Sequence, residues 1–511
     1  VTTAPRSFLA RDPRSIVLTV IVLGAVARIV LAMTIGLGVD ESYAVAVARQ
    51  YSLSYFDHPP LHFWMAGAVA KLFHSEAGVV VRLPFIACFA GTTWLLFRLT
   101  TRLFDARAGA LAAVLLNISA VFSLSTGGWV LPDGPLMVLM LGAANIIADL
   151  LFDECDAPVQ WWMLAGLLTG VAMLAKYHGA IVLGGTTLFL LTSAPHRKWL
   201  ATPGPWLGAA IAALCFTPVL VWNSQHHWVS FAFQGGRAVG RSGIHVGAML
   251  TNIAGQMGWV LPWIFVPLAA SFWRAVRAGP RDEKRWFLAC LAVAPIAVFT
   301  LIALRGDVGL PHWQAPGWLF VFPMLGAAAA ERMARGATAP ATWIKVSAAT
   351  FVVIVTILAS HAATGWIERL APQAFAKGDP STDALDWKNV RVSMKARGYL
   401  PTDGFLAAPS WIQAGKAAIG VGPEVPVICL CADPHHFYYM QPADTAFRGA
   451  NAVFVVKKRP NDDTEARFSR YFAQFMAVDD VPITRGGRVA FYVTLWRGVG
   501  FKPGYPTGQP R

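Results

Sequence analysis

Charge is what this chain has least of. Only 14% of its 511 residues are Asp, Glu, Lys or Arg, against about 25% in an ordinary soluble protein. With 56% hydrophobic residues and a mean hydropathy of +0.51, a wholly soluble enzyme is excluded. Cysteine is scarce too, and none of Cys88, Cys155, Cys215, Cys290, Cys429 and Cys431 forms a CxxC pair or a metal-ligand spacing. The first four lie in or beside apolar runs, where a thiol behaves as a small apolar side chain. Cys429 and Cys431 alternate along a strand-like run, which predicts opposite faces and no bridge between them. A Walker sequence and a Gly-rich fingerprint after a strand are both missing, so nucleotide binding is not assigned. The net charge of +14 comes from basic residues scattered in short clusters between apolar runs. Orientation charges are distributed that way, which argues against a nucleic-acid partner.

What the chain does have is long apolar runs. About eleven can be read as membrane spans: residues 15–35, 79–97, 108–125, 132–152, 161–174, 180–191, 206–221, 246–272, 286–304, 317–330 and 343–361. The first lacks a small-x-small cleavage pattern after it and is read as a retained span. HFWMAGAVAKLF is too short to cross and is expected to be an interfacial helix. Lys and Arg are concentrated in the connections that an N-inside topology makes cytoplasmic, Arg98, Arg102, Arg274 and Arg285 among them. An odd number of spans then puts the loop 38–78 and the C-terminus outside. From about Trp366 charged residues, turns and short alternating runs replace the long apolar segments. VPVICLC, AVFVVKK and RVAFYVTLW are strand-like; DALDWKNVRVSMKARG and DTEARFSRYFAQF have helical spacing. The expectation is a polytopic α-helical membrane domain, residues 1–365, followed by an external soluble α/β domain, residues 366–511.

Ionisable side chains collect at the external ends of spans and in external loops, a layout suited to chemistry at the membrane–water boundary. A carrier would more often place them at mid-membrane on broken helices. Residues 38–64, GVDESYAVAVARQYSLSYFDHPPLHFW, carry two acidic clusters, Asp40 with Glu41 and Asp57 with His58. Asp40 is a candidate general base toward an attacking hydroxyl. Arg82, Lys176 or Arg305 would neutralise a departing phosphate. Asp57 and His58 offer two ligands to a divalent metal, too few to define a site, and a metal requirement stays open. Plainer readings stand beside these. Asp40 with Glu41, and Asp133 after Pro132, are also ordinary helix-start residues. Lys176 at a helix end can simply snorkel. His226, His227, His435 and His436 read as loop residues, and Gly166 and Gly170 as helix packing.

The chain resembles bacterial GT-C-fold glycosyltransferases of the protein-mannosyltransferase/aminoarabinose-transferase superfamily. The resemblance rests on VDESYAVAVARQ, YFDHPPLHFW, VVRLPFIACFAG, LPDGPLMVL, GVAMLAKYHGAIVL, PVLVWNSQHHWVSFAFQ and PHWQAPGWLF, in that order. It implies inverting transfer of a sugar from a polyprenyl-phosphate donor to an envelope acceptor such as lipid A, lipopolysaccharide core or another glycolipid. The active site and C-terminal domain would face the periplasm from the bacterial inner membrane, in contact with membrane lipids. Asp40 would be the base, Glu41 its support and Asp133 a second external carboxylate. His58, Arg82, Lys176, Tyr177, Arg237, Arg305 and His312 would line the donor phosphate. Aminoarabinose transferases carry Arg after Asp-Glu-x and Lys before the prolines; here Tyr43 and His58 stand there, so the resemblance does not extend to the sugar. A protein O-mannosyltransferase and a lipid-linked-sugar flippase are the rival readings.

Overall fold

The computed structural model describes residues 11–153, 157–238, 243–306, 309–399, 404–440, 444–459 and 463–505. Helices dominate as far as residue 370: α1 (Pro13–Thr34), α2 (Val39–Val47), α3 (Leu61–Leu72), α4 (Gly78–Leu103), α5 (Ala106–Asn117), α6 (Thr126–Gly128), α7 (Asp133–Phe152), α8 (Pro158–Ala175), α9 (Ile181–Thr192), α10 (Pro203–Cys215), α11 (Thr217–Gln225), α12 (Val229–Ala238), α13 (Val246–Val260), α14 (Pro262–Ala278), α15 (Glu283–Leu304), α16 (Ala315–Leu319), α17 (Phe322–Ala334), α18 (Ala339–Thr364) and α19 (Trp366–Leu370). Beyond them come α20 (Lys388–Ala396), β1 (Phe405–Ala408), α21 (Trp411–Val421), β2 (Val427–Cys429), α22 (Phe437–Met440), β3 (Ala452–Lys457), α23 (Thr464–Phe468), β4 (Gln474–Arg485) and β5 (Arg488–Val499).

Among the described residues, six helices are long and apolar enough to cross a membrane alone: α1, α4, α7, α8, α15 and α18. Three bent pairs qualify together, α5 with Val121–Gly128, α10 with α11, and α13 with α14. The other two expected spans correspond to the shorter apolar stretch Tyr177–Thr192 and to α16 with α17. The chain is a multi-pass membrane protein. The expected straight span at 246–272 is instead broken by 112°, because Pro262 follows Leu261, which takes a positive φ of 82° and cannot continue a helix. α1 exposes Leu18, Val22, Leu23, Val26, Val30 and Met33, as a lipid-facing helix does.

Two compact units can be separated. The first comprises Val1–Ile29, His58–Leu61 and Leu83–Ile354. Its helices pack through small residues: a Cβ on Gly166 would lie 2.1 Å from the Gly208 carbonyl oxygen, and one on Gly170 would lie 2.9 Å from Ala212. The Gly166 and Gly170 pair of α8 is thus a contact face for α10. Arg28, a charged residue inside α1, is tied down. Its Nε donates to the Ser123 carbonyl (3.1 Å) and its Nη2 to Ser123 Oγ (2.8 Å), while its guanidinium lies 4.3 Å from the Phe89 ring centre. Ser123 belongs to a π-helical turn, Val121–Ser125, at the 78° break after α5. Backbone freed by the break is satisfied by a cation.

The second unit comprises Val30–Asp57, His62–Arg82 and Val355–Arg511. It therefore joins most of the loop 38–78 to the C-terminal α/β domain, a grouping that no composition boundary at 365/366 suggests. Its sheet has the order β2-β1-β3-β5-β4, with β1 parallel to β2 and β3 and the other pairs antiparallel. Alternation along β3 serves two cores: Val453 and Val455 pack with Trp387, Leu406 and Val421, whereas Phe454 and Val456 pack with Phe405, Phe468 and Phe472. The helical pattern read across 463–475 stops at Phe468, and β4 begins at Gln474. β4, with Asp479, Asp480 and Pro482, is an edge strand, where proline and charge are tolerated. The opposite faces expected of Cys429 and Cys431 also need correcting. β2 ends at Cys429, so alternation stops there, and the two buried free thiols approach to 2.9 Å. Cys155 lies outside the described residues.

Gly166→Leu should lower the melting temperature of the purified protein, since overpacking a close helix contact costs about 1–3 kcal/mol. Gly184→Leu, on α9 where a Cβ meets nothing within 4 Å, should leave it unchanged in the same thermal unfolding assay.

Candidate active site

Two constellations hold the sequence-predicted residues, one in each unit. In the second unit, Gly38 caps the start of α2, and its N–H donates to the Glu41 carboxylate at 2.8 Å. Glu41 at the third helical position thus performs the helix-start role that either acidic residue would suit. The same carboxylate receives Arg82 Nε at 2.7 Å and Nη2 at 2.5 Å, with both side chains buried. Arg82 also donates to the carbonyls of Ile35 (2.8 Å) and Gly36 (2.9 Å). Arg82, expected beside the donor phosphate, is thus enclosed by four such bonds that tie it to the chain around the start of α2. Asp40, one residue before Glu41, is exposed.

The second acidic cluster is tied to the first. Tyr43 Oη donates to Asp57 Oδ1 at 2.9 Å and accepts the His436 N–H at 3.0 Å. His436 Nδ1 in turn accepts the Phe56 N–H at 3.1 Å. Burial, reinforced by the Asp57 charge, raises the Tyr43 phenol well above its usual range, so it stays a donor. His435 stacks on Trp411 with ring centres 4.5 Å apart and contacts Asp433 at 2.9 Å. The loop reading of His435 and His436 becomes a structural one: both build the turn that meets α2. Among the described residues no group of three His, Cys, Asp or Glu side chains is arranged to hold a metal. Asp57 and His58 remain a pair.

In the first unit, Asp133 opens α7 and Lys176 follows α8. Lys176 Nζ lies 3.0 and 3.2 Å from the two Asp133 carboxylate oxygens, with both side chains buried. Neither snorkels nor merely starts a helix: they form an enclosed ion pair, with His178 and His312 within electrostatic reach. Tyr177 packs between Phe216 and Phe231. His58 and His312 are half-buried, and Arg305, just past α15, is exposed. The side chain of Arg237 lies outside the described residues.

Sequence reasoning missed two features. Asn252 Oδ1 accepts from Gln256 Nε2 and Gln314 Nε2, each at 2.8 Å, and Gln256 Oε1 accepts Trp318 Nε1 at 2.8 Å. All three amide side chains are buried; amides four residues apart in an apolar segment were the available signal. The other is Lys416 on α21, whose Nζ donates to the carbonyls of Leu37 and Leu385. Burial brings this ammonium down to about 8 against the pull of Asp386, Glu41 and Asp383, with Arg82 lowering it further. It stays charged near neutral pH.

Known proteins share this architecture. ArnT from Cupriavidus metallidurans bound to undecaprenyl phosphate superposes with a TM-score of 0.62 at 17% identity, covering 94% of this chain and 97% of that one. The chain has the GT-C fold. The apo form of the same ArnT gives a TM-score of 0.58 at 16% identity, over the same shares of the two chains. The oligosaccharyltransferase of Archaeoglobus fulgidus gives 0.51 at 13% identity, over 89% of this chain and 70% of that one. In sequence, residues 57–222 match the dolichyl-phosphate-mannose-protein mannosyltransferase family. A lipid A galacturonosyltransferase, RgtD from Rhizobium johnstonii, is 26% identical over 278 residues. That match spans 52% of this chain and 55% of the relative.

Arg82→Met strands the buried Glu41 carboxylate, and losing one partner of a buried pair costs about 3–5 kcal/mol. The variant should unfold well below the wild type in a detergent melting curve. Arg305→Ala, at an exposed position, should melt with the wild type.

Proposed function

We propose that this protein is an inverting glycosyltransferase of the bacterial inner membrane. It moves a sugar from a polyprenyl-phosphate donor to a lipid or glycolipid acceptor at the periplasmic face. The observation that carries the reading is the division of labour at the start of α2 in a chain with a GT-C fold. Glu41 is buried and locked by Arg82, while its neighbour Asp40 is exposed. The lipid A galacturonosyltransferase relative and the undecaprenyl phosphate held by ArnT support the acceptor and donor classes.

In this reading the acceptor hydroxyl attacks the anomeric carbon as Asp40 takes its proton. The bond from that carbon to the phosphate oxygen breaks, and polyprenyl phosphate leaves with the electron pair. Configuration inverts because one displacement occurs from the opposite side. Asp40 lies in the first turn of α2, where the helix dipole favours negative charge, and it takes the proton as the hydroxyl attacks. The departing phosphate calls for fixed cations. Arg305 is the exposed described one among those expected, with His58, His312, Tyr177 and Arg237 completing the proposal. Lys176 is committed to Asp133, so we assign that pair to shaping its end of α7.

Asp40→Asn should keep the fold and lower sugar transfer from a labelled polyprenyl-phosphate donor by about 10²–10⁴-fold, the range of general-base catalysis. Near wild-type transfer by folded Asp40→Asn defeats the assignment. The mannosyltransferase-family match over residues 57–222 favours a second reading, transfer to protein Ser or Thr. Label appearing in protein and not in extracted lipid would establish that one.

A further inference from the structure

We propose that Lys416, on the C-terminal α/β domain, is a positioning residue of the sugar-transfer site, holding the turn that presents Asp40. Three consecutive carbonyls precede α2, and each is held by a buried cation. Ile35 and Gly36 accept from Arg82, and Leu37 accepts from Lys416. Arg82 belongs to α4 and would be expected near this loop. Lys416 arrives from 379 residues away in sequence. Its second bond, to the Leu385 carbonyl at 3.1 Å, anchors the ammonium within its own domain.

The contact between α21 and α2 is too close to be incidental. A Cβ on Gly415 would lie 2.8 Å from the Tyr43 backbone nitrogen, so only glycine lets the helices approach this far. A Cβ on Gly36 would lie 2.6 Å from both the Ala384 carbonyl and Asp386 Oδ1. At the far end of α2, Arg49 donates to the Ala418 carbonyl at 2.9 Å while paired with Glu76. The α2 segment is therefore gripped by α21 at both ends. Its first turn, which carries Asp40, depends on Lys416. A lysine buried to 4% exposure costs desolvation free energy that a leucine would avoid, and the Leu37 carbonyl is what it gains.

The inference rests on Asp40 as the base, so the experiment separates the two ideas. Full-length wild type, Lys416→Met, Lys416→Gln and Gly415→Ala would be compared by hydrogen exchange and by transfer from a labelled polyprenyl-phosphate sugar. Exchange across residues 35–42 should rise at least tenfold in Lys416→Met and less in Lys416→Gln, with β3 and β5 unchanged. The kcat should fall at least tenfold in Lys416→Met while the donor KM stays within about threefold, and Lys416→Gln should fall between. Unchanged exchange at 35–42 together with wild-type kcat in folded Lys416→Met overturns the proposal. Raised exchange with wild-type kcat overturns it too, leaving only a structural contact. If Lys416→Met does not fold, Gly415→Ala decides by the same two readouts, since its Cβ separates the helices with Lys416 intact. Should the wild type itself transfer no sugar, the function fails, and the exchange result still reports on the grip.

Discussion

The buried ion pair between Glu41 and Arg82 is the constraint on which the candidate site depends. A carboxylate and a guanidinium both shut away from water are costly unless every lone pair and proton is used. Here the requirement is met almost completely: Glu41 takes Arg82 and the Gly38 N–H, and Arg82 takes Glu41 and two carbonyls. The geometry that satisfies them fixes where the chain leaves α1, where α2 begins, and hence where Asp40 is displayed. One acidic residue is consumed so that its neighbour can be held in place.

The same economy recurs elsewhere. Arg28 closes the backbone opened by the π-helical turn after α5. Lys176 and Asp133 neutralise each other at the start of α7. Asn252, Gln256 and Gln314 share their amides across α13 and the entry to α16. Each is a polar group in an apolar setting whose partner was delivered by tertiary packing. Where helices break, at Leu261 or after Asn117, polar side chains or prolines accompany the break. This is what an environment without water demands of irregular backbone.

Much of the fold was legible in the sequence because burial in lipid writes itself as length and apolarity. Nine of the eleven expected runs coincide with a helix or with a helix pair bent by less than a right angle; the run at 317–330 is divided between α16 and α17, and the run at 246–272 is sharply broken, at a proline. Strands rich in Val and aromatic residues, such as β3 and β5, were equally plain. β4 was not, because an edge strand needs no apolar alternation and carries charges and proline instead. In the site, Asp40 and Glu41 stood out as charge beside apolar runs. Their different fates did not, since adjacent carboxylates look alike until burial and partners are known.

What the sequence by itself determined is the class of protein, the membrane-crossing segments, the α/β tail and the set of ionisable residues worth watching. Period, length and composition are local properties, and they survive without knowledge of neighbours. What only the tertiary structure decided is the pairing. Arg82 closes on Glu41, Lys176 closes on Asp133, Tyr43 links Asp57 to His436, and Lys416 grips the Leu37 carbonyl. A buried charge is tolerated only beside a specific partner, and that partner can lie anywhere in the chain. No spacing rule connects position 37 with position 416.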